Sequence, residues 1–168
     1  PAFAILLVFL IFPLFWNIYI SFHDVSFITI LKNWEYNGWK NFIDLFNDPN
    51  FYTSLKITVF FVTGSVASQF TLGMLMAVLL SQKVRAAGVF RAIFVIPWTI
   101  SAVIAAFSFK FILDYNFGIL NYILQQIGLQ PVGWLTDPNI VIWSLVIANM
   151  WYGTPFTMLF ITAGLLSI

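Results

Sequence analysis

The dominant pattern along the chain is the alternation of long uncharged apolar runs with shorter polar ones. Uncharged stretches cover residues 1–22, 57–81, 92–109 and 138–168. A bilayer core asks for about 20 mostly apolar helical residues. With their flanking turns these stretches predict spanning helices over about residues 1–22, 51–81, 88–113 and 138–168. Loops at 23–50, 82–91 and 114–137 join them. Pro13 falls inside the first span, where neighbouring groups can satisfy the freed carbonyl, and Trp16 and Tyr19 near its end suit an interfacial aromatic belt. The chain opens at Pro1 directly into an apolar run, with neither the basic start nor the small-residue cleavage site of a signal peptide, and closes at Ile168 inside another. Both ends predict a fragment whose flanks are missing.

The polar segments carry their own signals. Residues 23–52 hold Asp24, Lys32, Glu35, Lys40, Asp44 and Asp48. Within them Trp39, Phe42, Ile43 and Phe46 recur at helical spacing, which predicts a short amphipathic helix over 39–47, lying on the membrane surface or packed on the protein itself. Asp48-Pro49-Asn50 and Asp137-Pro138-Asn139 read as helix starts: the carboxylate accepts from an orphan amide, and proline's fixed φ suits the first helical position. Two spans separate these caps, which places them on one side of the membrane. The loop 82–91 holds Lys83, Arg85 and Arg91 with no acid, whereas Lys32, Lys40, Lys56 and Lys110 are mixed with all the acids in longer segments. Positive density favours the short loop as the cytoplasmic one.

Composition narrows the class. Hydrophobic residues make up 61% of the 168 and charged residues 8%, too few to clothe a soluble domain, which is about a quarter charged. The net charge of +1 gives nucleic acid nothing to bind. There is no cysteine, and His23 is the lone histidine, so neither disulfides nor a metal cluster is expected. The sequence contains no phosphate-binding G-x-x-x-x-G-K-[ST] loop, no H-E-x-x-H, no G-x-S-x-G and no paired intramembrane carboxylates. These absences point away from an enzyme, an ATP-hydrolysing chain or a proton relay, and toward a chain that binds no cofactor of its own.

Polarity inside the spans is sparse. Gly64 and Ser68, with Ser65 and Gln69 beside them, and Ala102, Ala105 and Ala106 after Pro97-Trp98-Thr99 and Ser101, predict close helix–helix contacts. Lys110 and Asp114 read as a snorkelled lysine with an (i, i+4) partner. The fourth span differs. Asn149, Tyr152, Gly153 and Phe156 fall at i, i+3, i+4 and i+7, on one helical face, beside a helix-weakening Pro155. An amide, a phenol, a ring and a gap are what an uncharged polyhydroxylated ligand needs. The same residues also suit interhelical glue and a packing notch.

Several segments together resemble the permease subunits of carbohydrate ABC importers, the group of maltose and glycerol-3-phosphate permeases. They are Tyr19-Ile-Ser-Phe22, Gly38-Trp-Lys-Asn-Phe42, Asp48-Pro-Asn-Phe51, Phe90-Arg-Ala-Ile-Phe-Val-Ile-Pro97-Trp-Thr-Ile-Ser101, Phe117-Gly-Ile-Leu-Asn121, Trp134-Leu-Thr-Asp-Pro138 and Ala163-Gly-Leu-Leu-Ser-Ile168. The last is similar to the lead-in to the family's cytoplasmic E-A-A loop. The resemblance implies an all-α polytopic bundle of the type I ABC importer transmembrane domain, with four spans in this segment. It further implies a second homologous permease subunit, a cytoplasmic ATPase dimer carrying ATP and Mg²⁺, an external solute-binding protein, a sugar substrate and a lipid surround. The location would be the cytoplasmic membrane of a bacterium or archaeon, with the loop 82–91 inside. In such permeases an N-x-W-x-G-x-P stretch supplies substrate contacts. Here it is Asn149, Trp151, Gly153 and Pro155, which places the contacts on Asn149, Tyr152, Gly153 and Phe156. A structural subunit of a membrane complex and an ion-coupled carrier are the alternatives.

Overall fold

A computed structural model describes residues 2–26, 34–81 and 87–166, and these are helical almost throughout. The chain divides into two compact units, Pro1–Leu55 and Lys56–Ile168.

The first unit begins with α1 (Ala2–Leu6), a π-helical turn (Leu7–Ile11) and α2 (Phe12–Ser21). The π turn has a local cause. A proline ring collides with the carbonyl four residues before it, here that of Phe9, and widening the turn relieves the collision. Large apolar side chains along this run, Phe3, Phe9, Phe12 and Phe15 among them, are exposed, as a lipid-facing surface requires. The polar segment then returns through a short antiparallel pair, β1 (His23–Asp24) with β2 (Glu35–Tyr36), in the register His23↔Tyr36 and Asp24↔Glu35. Alternation gave no sign of these two-residue strands. Their junction is made by Asn41, whose Nδ2 donates to the carbonyls of Ser21 (2.9 Å) and His23 (3.0 Å), while Asn37 Nδ2 donates to its Oδ1 (3.0 Å). Gly38 supplies the left-handed φ of +60° that turns the chain into α3 (Lys40–Asn47). The amphipathic helix makes ring contacts within the unit, Trp39 and Phe42 on Phe22 at centroid separations of 5.2 and 5.3 Å and Phe46 on Phe51 at 5.7 Å, while Trp39, Ile43 and Phe46 stay largely exposed. Asp48 Oδ1 then accepts from the Asn50 amide (2.9 Å), capping α4 (Pro49–Ser81), whose first residue is Pro49. Lys32 lies outside the described residues.

The second unit holds most of α4, followed by α5 (Ala87–Thr99), α6 (Ala102–Ile112), α7 (Ile119–Gln126) and α8 (Val141–Leu166). At 1.5 Å per residue the 33 residues of α4 extend about 50 Å, more than the hydrocarbon core needs. The stretch 88–113 is not one straight helix. α5 and α6 meet at 91° across Ile100 and Ser101. α5 runs two residues past Pro97, the Ile100 amide then reaches only the Pro97 carbonyl at 3.4 Å, and Ser101 takes an extended ψ of 135°. Among the described residues, two helices, α4 and α8, are long and apolar enough to cross a bilayer, or three if the bent pair counts as one span. The first run contributes a shorter apolar helix over Leu7–Ser21, so length and composition alone do not carry the count to four.

The packed centre of this unit is Ala77, Leu80 and Met158, with Val95, Leu159 and Ile161 around it. Glycines let α4 and α8 approach: a Cβ on Gly73 would lie 2.9 Å from Thr157 Cβ and 3.1 Å from the Met158 amide nitrogen, and one on Gly64 would lie 3.3 Å from Val146. The helix contact expected of Gly64 is therefore present, whereas the Ser68 hydroxyl turns back to the Ser65 carbonyl of its own helix (3.0 Å). At the other end of α4, Arg91 Nη2 donates to the Leu80 carbonyl and ties the start of α5 to the end of α4. Lys83 and Arg85 lie outside the described residues.

The segment 113–137 is organised by one buried side chain. Asn121, 1% exposed, donates from Nδ2 to the carbonyls of Tyr115 and Val132 (3.0 Å each). Its Oδ1 accepts from the Val132 amide (3.0 Å) and Trp134 Nε1 (2.9 Å). Asp137 closes the segment, accepting the Asn139 amide at 2.8 Å in the turn that enters α8. Asn121→Ala removes all four of these bonds, leaving the carbonyls of Tyr115 and Val132 and the donors of Val132 and Trp134 without this partner. We expect a loss of about 2–3 kcal/mol, read as faster amide exchange across residues 113–137 while α4 and α8 keep their protection.

Candidate functional site

A cavity of about 400 Å³ opens between α4, α6 and α8. α6 contributes Ala102, Ala105, Ala106, Phe109 and Leu113, one helical stripe, together with Lys110 beside it. α8 contributes Leu145, Ala148, Asn149 and Tyr152, spaced i, i+3, i+4 and i+7. Phe61 of α4 and Leu135 complete the wall. The small alanines of α6, expected to bring helices together, instead leave room, and only Ala105 among the three is buried.

The four residues singled out on α8 meet different surroundings. Asn149 and Tyr152 line the cavity; Gly153 and Phe156 do not. Asn149 is half-buried, and its side-chain amide has no hydrogen-bond partner among the described residues. Its backbone carbonyl accepts from Gln69 Nε2 at 3.0 Å. Tyr152 reaches across to the broken span, its hydroxyl donating to the Ile100 carbonyl at 3.3 Å. Gly153 lies against the same Gln69, whose amide atoms would be 2.5–2.6 Å from a Cβ there. Phe156 lies tilted against Trp98 (5.4 Å) and Phe160 (4.5 Å). One face of α8 therefore divides into a cavity-lining pair, a packing notch filled by glutamine, and an aromatic contact with the end of α5. Pro155 does not break α8. In the turn before it, side chains donate to two further carbonyls, the Thr154 hydroxyl to that of Met150 (2.6 Å) and Gln69 to that of Asn149.

The structure adds residues to the site that spacing along α8 could not supply. Phe61 and Phe109 offer aromatic walls, Phe109 being set edge-on to Trp151 at 5.4 Å. Lys110 does not follow its expected pairing. Asp114 Oδ1 accepts the amides of Asn116 (2.8 Å) and Phe117 (3.2 Å) in a local turn, and the ammonium has no ion-pair or hydrogen-bond partner among the described residues. The stripe Ala102, Ala106, Phe109, Leu113 was the available signal for this wall. Its periodicity showed a face but not whether that face met a helix or a void.

No family model matches the chain. Known relatives do. The trehalose/maltose transport system permease protein MalF of Thermococcus litoralis is 35% identical over 169 residues, covering 100% of this chain and 56% of that protein. The lactose transport system permease protein LacF of Rhizobium radiobacter is 31% identical over 171 residues, with 100% and 56% covered. Among solved structures, a bacterial ABC transporter involved in the import of the acidic polysaccharide alginate superposes with a TM-score of 0.77 at 26% identity, over 100% of this chain and 56% of that one. The chain thus spans little more than half the length of the proteins it matches.

Gly153 of α8 and Gly73 of α4, both at the contact between these helices, should behave differently when given a methyl group. Gly153→Ala displaces only the mobile end of Gln69, breaking its bond to the Asn149 carbonyl at a cost of about 1 kcal/mol. Gly73→Ala meets Thr157 Cβ and the Met158 backbone, which cannot swing aside, and should cost about 3 kcal/mol or prevent folding. Thermal unfolding of the two purified variants checks the order.

Proposed function

We infer that this chain, which belongs to the permease family of carbohydrate ABC importers, lines the membrane path by which such an importer moves a sugar or oligosaccharide. The observation that carries the reading is the cavity. Its lining includes Asn149, whose side-chain amide has no partner among the described residues, and Tyr152, together with Phe61 and Phe109. Sugars present hydroxyls around their edge and an apolar C–H face, and this wall offers a partner to each. Gly153 and Phe156 act one step back: Gly153 admits the glutamine that holds α8 to α4, and Phe156 seats α8 against the end of α5. We assign them to positioning rather than to substrate contact.

The remaining parts follow from family membership. The chain would work in a cytoplasmic membrane beside a second permease subunit, with ATP and Mg²⁺ bound on a separate ATPase dimer and substrate delivered by an external binding protein. One solved relative is a bacterial alginate ABC transporter in complex with an alginate pentasaccharide-bound periplasmic protein, an arrangement of the same kind. The loop 82–91 would face the ATPase, and the segment 113–137 the outside, so the cavity, at the α7-proximal ends of α6 and α8, would open outward. The right-angle break at Ile100 and Ser101 lets α6 tilt against α8 without unwinding either, as alternating access to the cavity requires.

A second reading, that the chain serves as scaffold while its partner holds the sugar, draws on the packing roles of Gly153 and Phe156. Asn149→Ala separates the two. The side-chain amide makes no bond within the described protein, so its removal should leave assembly with the ATPase intact. On the transport reading, uptake into vesicles bearing the whole importer falls about tenfold, the worth of one or two sugar hydrogen bonds. Unchanged uptake would give the site to the partner subunit.

A further inference from the structure

We propose that the exposed face of α7 is an interfacial membrane anchor, seated among phospholipid headgroups and the upper part of their acyl chains. The inference goes beyond the transport reading and does not depend on what the cavity holds.

α7 presents Ile119, Tyr122, Ile123 and, at its C-cap, Ile127 on one side, each at least half exposed. Gln126 is the polar residue among them. The roll of the helix is fixed from its other side, where the buried Asn121 holds the backbone of Tyr115 and Val132 and the indole of Trp134. The apolar side is thereby kept outward. Both ends of α7 are also closed within the chain. Ahead of it the Gly118 amide donates to the Asp114 carbonyl (3.1 Å). Behind it Gly128 takes a left-handed φ of +79°, and the amides of Gly128 and Leu129 return to the carbonyls of Gln125 (3.1 Å) and Leu124 (2.9 Å). Little of the backbone at these ends is left in want of water, as a helix at the edge of hydrocarbon requires.

Two observations name phospholipid as the occupant. Residues 115–136 carry no charged side chain. A soluble partner that docks and leaves needs a surface that water tolerates between visits, and a row of exposed isoleucines without a charge beside it is poorly suited to that. The face also continues the lipid-facing back of α6. That helix turns Ala105 and Phe109 to the cavity and leaves Phe107 and Phe111 exposed behind, and Tyr115, four residues on, extends the row toward α7. Tyr122 and Gln126, one turn apart, then offer a phenol and an amide at the level of the headgroups, where such amphipathic side chains are favoured.

The test uses a cysteine-free form of the full-length permease, assembled with its partner subunits in phosphatidylcholine nanodiscs. Single spin labels at Ile119→Cys, Ile123→Cys and Ile127→Cys are compared with one at Gln125→Cys, exposed on the flank of the helix. The three isoleucine positions should collide freely with oxygen and poorly with a water-soluble nickel chelate, in a ratio that reads a depth of about 5–10 Å within the headgroup and acyl boundary. Gln125→Cys should show the reverse. Nickel collisions at the three positions equal to those at Gln125→Cys would put the face in water and overturn the proposal. Low collision with both reagents would overturn it in favour of a protein cover. A loss of oxygen collision that appears only on adding the external binding protein would give the face to that partner instead. Unlabelled protein supplies an independent check: Ile123→Asp should lower the unfolding temperature of the nanodisc complex and Gln125→Asp should not. Equal unfolding temperatures would likewise overturn the assignment.

Discussion

A backbone carbonyl freed where a helix ends or breaks has no water to turn to inside a membrane, and much of this structure is an answer to that constraint. The carbonyl of Ile100, stranded at a right-angle break, takes the Tyr152 hydroxyl. That of Leu80, at the end of α4, takes the Arg91 guanidinium. Asn41 serves the carbonyls of Ser21 and His23 where α2 gives way to the polar segment, and Asn121 serves those of Tyr115 and Val132 beyond α6. Tyr152 and Arg91 close helix ends, while Asn41 and Asn121 do the same for the polar connections between helices, so the donors that satisfy the backbone also fix how neighbouring elements meet.

This explains why the segments that carry the family resemblance look as they do. Gly38 and Asn41 belong to one of them, and the first supplies a left-handed turn while the second closes the joint behind it. Arg91 opens another and Pro97 and Ser101 close it: a tether at one end, a break at the other. Asn121 and Trp134 stand in separate segments yet meet at 2.9 Å. None of these residues contacts the cavity. Their common property is mechanical, since they hold short connections rigid between apolar helices that have little specificity of their own.

Much of the architecture was legible because the bilayer imposes one strong rule on helix length and composition. The long helices α4 and α8 and the capping aspartate Asp48 follow from runs and local chemistry, whereas Asp137, expected to cap a helix opening at Pro138, closes a turn and α8 begins only at Val141. What escaped were features set by tertiary geometry. The elbow between α5 and α6 hides inside an unbroken apolar run, because a sharp bend needs only an amide turned to the Pro97 carbonyl and an extended serine. The four-residue face on α8 was found by periodicity, but which of its members meet a void and which meet Gln69 or Trp98 depends on neighbouring helices. Lys110 was matched with Asp114 because four residues separate them, whereas the carboxylate found nearer donors in its own turn.

The hydroxyl of Tyr152 occupies two positions in this account, since it borders the cavity and also holds the carbonyl at the elbow. It has one proton to give. A cavity occupant that accepts that proton leaves Ile100 without its donor, and an elbow that straightens away from α8 returns the proton to the cavity. A single phenol thus stands between the cavity wall and the backbone at the elbow, so an occupant of the one and the shape of the other would compete for the same proton.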